Sequence, residues 1–496
     1  MTERDELSTI LHHASQLFIG GEWVQPSSTA MVEVVDSTTE EVFLSVAEAM
    51  ESDIARAVGA ARAAFDSGPW PRMTPAERAG YMREFSALLR ARTVGLGRIW
   101  PREFGVLYAM AKNMAADAGG AFEYYAGLAD SYPFEEPARP STGQYGVVVR
   151  EPVGVVGAII PWNGPLVLMG YKLAPALLAG CCVVVKCALE SPAAGYVVAE
   201  TAEAVGLPPG VINVVTADRE ASESLVRDSR VDKITFTGST LAGRRIASLC
   251  GERIARCTLE LGGKSAAVIF DDFDITTAAE RLASAECLMT GQVCSSLTRI
   301  VVKRSRHDEM LEALASAFSK VRVGDPFDAE SQMGPLVSAR HRDRVESYIA
   351  RGKDEGATLA TGGGRPAHLD KGYFVEPTVF GNVNNSLAIA QEEIFGPVLS
   401  VIAADDEEHA IEIANDTMYG LNASVFTNDT DRARDAALRL RSGRVGHNAW
   451  TRSEFGFPSG GFKQSGLGRE GGIDGLLAFQ ETKTVILDGV PSSLRT

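Results

Sequence analysis

The chain reads as an α/β protein built on two parallel sheets, and three observations predict this. From residue 145 onward, apolar runs of strand length alternate with helical segments. A second alternation starts near residue 265 and runs to about residue 450, and two short strand-like stretches, 124–150 and 480–496, fit neither. Continuous apolar strands separated by helices imply a parallel sheet covered on both faces, the doubly wound class. A chain of 496 residues is too long for one core, so two or three domains are expected.

The elements follow in order. Ile54, Val58, Ala61 and Phe65 recur at helical spacing behind Asp53 as a cap. Thr74-Pro75-Ala76-Glu77 is a capping box that opens a helix to about Arg92. Then come the strand Val153–Ile160 and helix 164–178, Cys182–Lys186 and 193–205, Val211–Val215 and 220–229, Lys233–Phe236 and 240–250. The second alternation opens at Ser265–Phe270 and carries helices over 275–290, 306–321, 340–356, 407–416 and 430–441. The stretches 124–150 and 480–496 suit pairing across a subunit interface.

Composition excludes several classes. A hydrophobic fraction of 45% and a charged fraction of 23% are those of a soluble globular protein. A net charge of −16 argues against nucleic acid as a partner. Seven thinly spread cysteines point to reduced thiols and a cytoplasmic setting. The acidic start, Met1-Thr2-Glu3-Arg4-Asp5-Glu6, has no signal-peptide core. Leu166–Val185 is nearly all apolar, but Gly170, Lys172, Pro175 and Gly180 interrupt it, so a buried helix and strand are expected and no membrane. No metal site is expected.

Chemistry concentrates in a few motifs. Gly291-Gln292-Val293-Cys294 offers one thiol in a small-residue loop, set apart from Cys181, Cys182, Cys187, Cys250, Cys257 and Cys287 in apolar or helical runs. A buried cysteine is also commonly just a small hydrophobe. Glu260, in Leu259–Lys264, supplies a carboxylate, or a solvated strand end. Pro161-Trp162-Asn163 follows an apolar strand at the end where parallel sheets bind ligands. The Asn163 amide could hold an oxyanion or cap the next helix. Gly466-Leu467-Gly468-Arg469-Glu470-Gly471 matches a phosphate fingerprint in letters, yet no apolar strand precedes it, so it is set aside. Phe236–Gly243 follows a strand and opens a helix, which suits phosphate binding at Gly238 and Ser239 or an ordinary cap.

Together these segments resemble the NAD(P)-dependent aldehyde dehydrogenase superfamily, from Phe18-Ile19-Gly20-Gly21-Glu22-Trp23 to Glu481-Thr482-Lys483. The other matching pieces are Glu392-Glu393-Ile394-Phe395-Gly396-Pro397 and Gly460-Gly461-Phe462-Lys463-Gln464-Ser465-Gly466. The resemblance implies an aldehyde-dehydrogenase-like α/β fold. Its Rossmann-type cofactor domain would span 1–128 and 150–261, its catalytic domain 262–465, and its oligomerisation segments 129–149 and 480–496. A homodimer or homotetramer follows.

By position, the resemblance makes Cys294 the nucleophile, Asn163 and the Cys294 amide the oxyanion donors, and Glu260 the base that activates water on a thioester. Lys172 would support the site, or merely snorkel from an apolar helix. Glu393 would hold the nicotinamide ribose (an exposed charge otherwise), with Phe395 beside the ring. Lys186 would bind the adenosine ribose and Ser239 a phosphate. Ile159, Pro161, Trp162, Phe236, Gly238, Gly243 and Leu261 complete the cofactor surroundings.

Two departures stand out. The acid expected three residues after Lys186 is Leu189, and Glu190 comes one position late, so NAD is expected with NADP as the alternative. Around the inferred tunnel, Gly164, Ser453 and Ser459 replace positions often aromatic in the family. Val167, Leu168, Tyr171, Leu288, Val293 and Trp450 keep its walls apolar. A bulky or apolar aldehyde is therefore expected. The competing readings are a CoA-acylating semialdehyde dehydrogenase, which usually lacks the glutamate, and a cysteine hydrolase without redox chemistry. The latter wants a histidine partner that no motif places near Cys294. A non-catalytic protein on this fold is disfavoured by intact Cys294, Asn163 and Glu260.

Overall fold

The computed structural model describes residues 11–451 and 454–492. Its first sheet has eight strands in the order Gly466–Leu467, Arg256–Glu260, Lys233–Thr237, Val155–Ile159, Cys182–Cys187, Ile212–Thr216, Leu17–Ile19 and Glu22–Val24. The five strands between Arg256–Glu260 and Ile212–Thr216 run parallel, and the strands beside them are antiparallel. Three of these five are buried along their whole length and a fourth at every position but one, as expected for a sheet covered on both faces. The exception is the Lys186 position, which is half-buried.

A second sheet of seven strands runs Thr358–Thr361, Thr378–Gly381, Val398–Ala404, Arg299–Lys303, Ala266–Ile269, Asn422–Phe426 and Arg444–His447. All its pairings are parallel except the first. Gln480–Leu487, Tyr145–Pro152 and Glu135–Ala138 form a separate three-stranded sheet from the two stretches that fit neither alternation. Its central strand continues to Pro152, past the expected boundary at 149. Residues 493–496 lie outside the described residues.

Two local expectations change. Asp53 is not the cap but the third residue of the helix Glu51–Ser67, whose cap is Met50. Its buried carboxylate accepts from Met50 N at 3.1 Å, from Ser27 N at 3.0 Å and from Ser27 Oγ at 2.7 Å. It thus satisfies an orphan amide of the first turn and ties down a loop. The helix that opens at Thr74 does not stop near Arg92 but spans Pro75–Phe104. Gly95, Gly97 and Pro101 argue locally against helix, whereas burial of Leu96, Ile99, Trp100 and Phe104 carries it onward. Leu166–Val185 divides into the buried helix Pro165–Ala179 and a central strand. Among the described residues no helix is long and apolar enough to cross a membrane.

Replacing Asp53 with Ala leaves two loop donors and a helix amide without their acceptor. The expected loss is about 2 kcal/mol, read as a lower urea midpoint at unchanged slope. An unchanged midpoint would show that the carboxylate is dispensable.

Candidate active site

The two sheets meet end to end, and the site lies between them. In the first sheet the carboxyl ends face the gap. Val155–Ile159 runs into Pro161-Trp162-Asn163, Lys233–Thr237 into Gly238-Ser239, and Arg256–Glu260 ends on Glu260 itself. In the second sheet the amino ends face it, so the segments entering Ala266, Arg299, Val398, Asn422 and Arg444 bring Cys294, Phe395, Tyr419 and Arg444 to one wall. The cavity between them is about 1160 Å³, and it opens where doubly wound sheets place ligands.

Cys294 lies in a loop between the helix Ile275–Cys287 and the strand Arg299–Lys303. Gly291 has φ +67°, and a Cβ on it would stand 2.3 Å from the Gly396 carbonyl carbon. A Cβ on Gly263 would stand 2.4 Å from the Cys294 carbonyl oxygen. Only glycine permits these approaches. Gln292 is fully buried, and its Oε1 accepts from Val337 N at 2.9 Å. The Asn163 side-chain amide donates to the Gln292 carbonyl at 3.1 Å. Asn163 and Cys294 therefore face one chamber, joined through the loop. Burial first, and then Glu393, push the Cys294 thiol up to about 12, while Arg444 pulls it down. The resting group is a thiol, and reaction requires the thiolate.

Glu260 does not line the cavity. Its buried Oε1 makes no hydrogen bond, and a Cβ on Gly460 would come within 2.8 Å of it, so the carboxylate faces the Gly460 loop. Burial, and then Glu470, hold it well above the usual carboxylate range, with Lys172 opposing. Lys172 is fully buried. Its Nζ donates to Thr237 Oγ1 at 2.7 Å and pairs with Glu470. The set-aside glycine run explains Glu470. Gly466–Leu467 lies antiparallel on the Glu260 strand, and the turn beyond it delivers Glu470 to Lys172. The sequence expectation missed this carboxylate because its motif was judged only for phosphate.

On the opposite arm, Glu393 Oε1 accepts from Gly263 N at 3.1 Å, and burial first pushes its carboxyl up to about 7. Phe395, at φ +65°, offers its carbonyl to His341 Nε2 at 2.7 Å, and its ring meets Trp162 edge-on. Burial pulls His341 down to about 4, so the ring is neutral and donates from Nε2. Pro161, Trp162, Gly238, Ser239 and Leu261 are also on the wall. The Ser239 hydroxyl caps the helix Thr240–Glu252 by accepting from Ala242 N at 3.3 Å.

Five expected cofactor residues are not on the cavity wall. Phe236 lies beneath Gly238, Gly243 packs on Leu261, and Ile159 and Lys186 pair within the sheet. Burial pulls the Lys186 ammonium down. Glu190 reaches Arg340 at 3.3 Å.

The third arm is apolar. Gly164, Val167, Leu168, Tyr171, Val293 and Trp450 line it as expected. Leu288 and Ser459 do not. Leu288 directly follows the helix end at Cys287, and Ser459 is clipped by two backbone hydrogen bonds to Glu470. Ser453 lies outside the described residues. Met110, Met114, Met289 and Phe455 add to the wall, Phe455 packing on Tyr171 at 4.7 Å between ring centroids, and the cavity lining also carries the charged Arg90, Asp117 and Glu454. Met110 and Met114 stand one turn apart on the helix Tyr108–Asp117, a signal present in the sequence but not tied to the tunnel.

Comparison with known proteins agrees with this architecture. The Aldehyde dehydrogenase family model matches residues 23–485. Geranial dehydrogenase of Castellaniella defragrans is 45% identical over 479 residues, covering 95% of this chain and 98% of the relative. Betaine aldehyde dehydrogenase of Bacillus subtilis is 37% identical over 481 residues, covering 96% and 98%. A crystal structure of Mycobacterium tuberculosis aldehyde dehydrogenase complexed with NAD+ superposes with TM-score 0.93 at 44% identity, covering 95% of this chain and 98% of that one. Betaine aldehyde dehydrogenase from Staphylococcus aureus in complex with NAD+ gives TM-score 0.95 at 36% identity, covering 98% and 97%.

Glu393 carries a stability prediction. Its carboxyl is held near 7 instead of 4.5. It therefore favours folding fully below about pH 4.5, and that contribution is lost as pH rises through about 7. Glu393→Gln keeps the acceptor for Gly263 and removes the charge. At pH 8 it is expected to stabilise the fold by about 1–2 kcal/mol, with no gain at pH 4. Urea titrations at both values decide, and an equal effect at each would rule out the buried charge as the cause.

Proposed function

Because this chain belongs to the aldehyde dehydrogenase family, we propose that it oxidises a bulky, apolar aldehyde with NAD through a Cys294 thioester that water resolves. The observation that carries the reading is the single cavity in which the Cys294–Asn163 chamber joins the Glu393–Phe395 arm on one side and an apolar tunnel on the other. The cofactor arm suits a dinucleotide. Gly238 and Ser239 open a helix whose first amides can receive phosphate oxygens, and Glu393 stands ready to accept from ribose hydroxyls.

Each residue then has a task. Cys294 Sγ attacks the aldehyde carbon, while Asn163 Nδ2 and the Cys294 amide hold the resulting oxyanion. NAD, which the Gly238–Ser239 turn, Glu393 and Phe395 would hold, would supply the hydride acceptor, and loss of hydride from the intermediate would leave a thioester on Cys294. Glu260 accepts a proton from the water that cleaves it, and to do so its carboxylate turns from the Gly460 side past Leu261 into the cavity. Its position well above the ordinary carboxylate range suits a base working near neutrality. Behind it lie Glu470, a like charge that adds to its upward shift, and Lys172, a cation that opposes it.

The cofactor and partner assignments rest on separate observations. NAD is favoured although Glu190 is engaged with Arg340, because bound relatives carry NAD+. We place the cofactor domain at 1–128 and 150–261 and the catalytic domain at 262–465; the strand membership of the two large sheets supports this except for Gly466–Leu467, which joins the first sheet from outside both ranges. The three-stranded sheet would serve a homodimer or homotetramer, with Ile486 more than half exposed on its outer strand. Seven free cysteines suit a cytoplasmic setting.

Two experiments test this. Cys294→Ala is expected to abolish NADH formation. Glu260→Gln is expected to leave a burst of one NADH per site, followed by turnover slowed roughly 10²–10⁴-fold. Steady-state turnover equal to wild type in Glu260→Gln, or strict need for CoA, would refute the hydrolytic role. For the tunnel, a Cβ on Gly164 would meet only Leu168, at 3.8 Å, so bulk is tolerated there. Gly164→Phe is expected to lower kcat/KM at least about tenfold for a branched ten-carbon aldehyde, worth about 1.4 kcal/mol, and to spare propanal. Equal losses for both would remove the tunnel from substrate choice.

A further inference from the structure

The helix Ala339–Asp354 grips the segment that carries Glu393 and Phe395 along one of its faces. His341 Nε2 donates to the Phe395 carbonyl at 2.7 Å, and Arg344 Nη2 donates to the Glu393 carbonyl at 2.7 Å. Tyr348 Oη and Arg351 Nη1 donate to the Glu392 carboxylate at 2.7 and 3.0 Å. Positions 341, 344, 348 and 351 recur at three- and four-residue spacing, so they form one stripe. Beside them, a Cβ on Gly396 would stand 2.5 Å from Val345 Cγ2. Gly396 also meets the nucleophile loop, since a Cβ on Gly291 would stand 2.3 Å from its carbonyl carbon. One glycine thus touches both the Cys294 loop and the helix.

The same helix starts from the nucleophile loop. Thr290 Oγ1 donates to the Gly334 carbonyl at 3.0 Å, and Val337 N donates to Gln292 Oε1 at 2.9 Å. The next residue, Ser338, caps the helix by accepting from His341 N at 3.3 Å. Residues 334–344 therefore connect the loop that carries Cys294 to the turn that carries Phe395. Phe395 holds φ +65°, a conformation that a bulky L residue keeps only where its surroundings enforce it. His341 acts on it twice. Its Nε2 holds the carbonyl, and its ring stands edge-on to both Trp162 and Phe395, at 5.5 and 6.0 Å between centroids. Those spacings suit edge-to-face aromatic contact. All three rings lie on the cavity wall.

We propose that His341 is a positioning residue for hydride transfer, an assignment that rests on Cys294 as the nucleophile and on the Phe395 arm as the seat of the nicotinamide. By fixing the Phe395 main chain and flanking its ring, His341 sets the surface against which the hydride acceptor lies. Because its helix is anchored at Gln292 and Thr290, that surface keeps a constant distance from the thiol. His341 itself touches neither the aldehyde nor the thiol in this role.

Rapid mixing of the full-length enzyme with saturating NAD and a branched ten-carbon aldehyde reads the first NADH formed. His341→Ala is expected to slow that burst at least about tenfold, because small displacements of reacting groups are costly. The NAD Kd from calorimetry is expected to change little, since the Gly238–Ser239 turn and the Glu393–Gly263 hydrogen bond stay in place. Without cofactor, amide hydrogen exchange in peptides covering 393–398 is expected to quicken in the same variant. His341→Gln, whose amide nitrogen reaches about as far as Nε2, should restore burst and exchange, and the shorter His341→Asn should restore neither. An Ala variant with the wild-type burst, a Gln variant no better than Ala, or a loss confined to NAD affinity would overturn the role. If the Ala variant does not fold, the Gln and Asn variants decide by the same readings. Wild type that forms no NADH refutes the dehydrogenase reading and the hydride role with it, whereas a normal burst with unchanged exchange in Asn and Ala refutes His341 alone.

Discussion

The site depends on backbone lying directly on backbone where the two sheets meet. The Cys294 loop touches the Gly396 main chain at Gly291, and Gly263 lies against the Cys294 carbonyl. At neither point does the structure leave space for one methyl group. This contact sets the distance between the carboxyl ends of one sheet and the amino ends of the other, and hence the width of the chamber. A side chain in either place would push the thiol away from Asn163, which reaches the loop through a single hydrogen bond to Gln292. Catalytic geometry tolerates little displacement, so rigid main-chain packing suits the task better than a mobile side chain.

Closing two sheets over one chamber also gathers charge where water is scarce. Cys294, Glu260, Glu393 and Lys172 all stand within or behind the junction, and burial is the first cause of every resolved shift among them. An isolated buried carboxylate is costly. Here Lys172 offsets part of that cost through Glu470, and a proton on Glu260 offsets more. The same burial that raises the cysteine toward an inert thiol raises Glu260 toward the range of a useful base. One physical cause thus acts on both groups, and on the proposed reading it weakens the nucleophile and suits the base.

Much of this was legible in the sequence, for reasons that differ by residue. The parallel sheets announced themselves because strands buried on both faces are apolar throughout, and Val155–Ile159 and Cys182–Cys187 are such strands. Cys294 and Asn163 could be singled out because one sits in a small-residue loop and the other in a polar turn after an apolar strand, whereas Glu393 emerged only through the family resemblance of Glu392–Pro397. Glu470 and His341 could not be singled out, since their meaning lies in contacts between segments far apart in the chain. Phe236 and Gly243 were legible as members of a motif but not as lying off the cavity wall, because a motif records which residues occur together and not which of them face a cavity. The helix to Phe104 was hidden by Gly95, Gly97 and Pro101, whose local cost is overcome by burial that only the assembled core supplies.

The orientation of Glu260 connects these threads. It ends a strand whose neighbours are Thr237 on one side and Gly466 on the other, so its Cα is fixed by two ladders and only its side chain can move. On one side lie Gly460, Lys172 and Glu470, a pocket that receives a protonated or paired carboxyl. On the other lie Leu261 and the chamber. A base fixed in the chamber would stand beside Cys294 while hydride leaves and would oppose the thiolate throughout. On the proposed reading, the carboxylate that lies against Gly460 is off the chamber wall during hydride loss and turns toward the chamber for hydrolysis of the thioester. The two-sided setting of that strand end would, on this reading, separate in space two steps that would interfere if the same carboxylate attended both from one position.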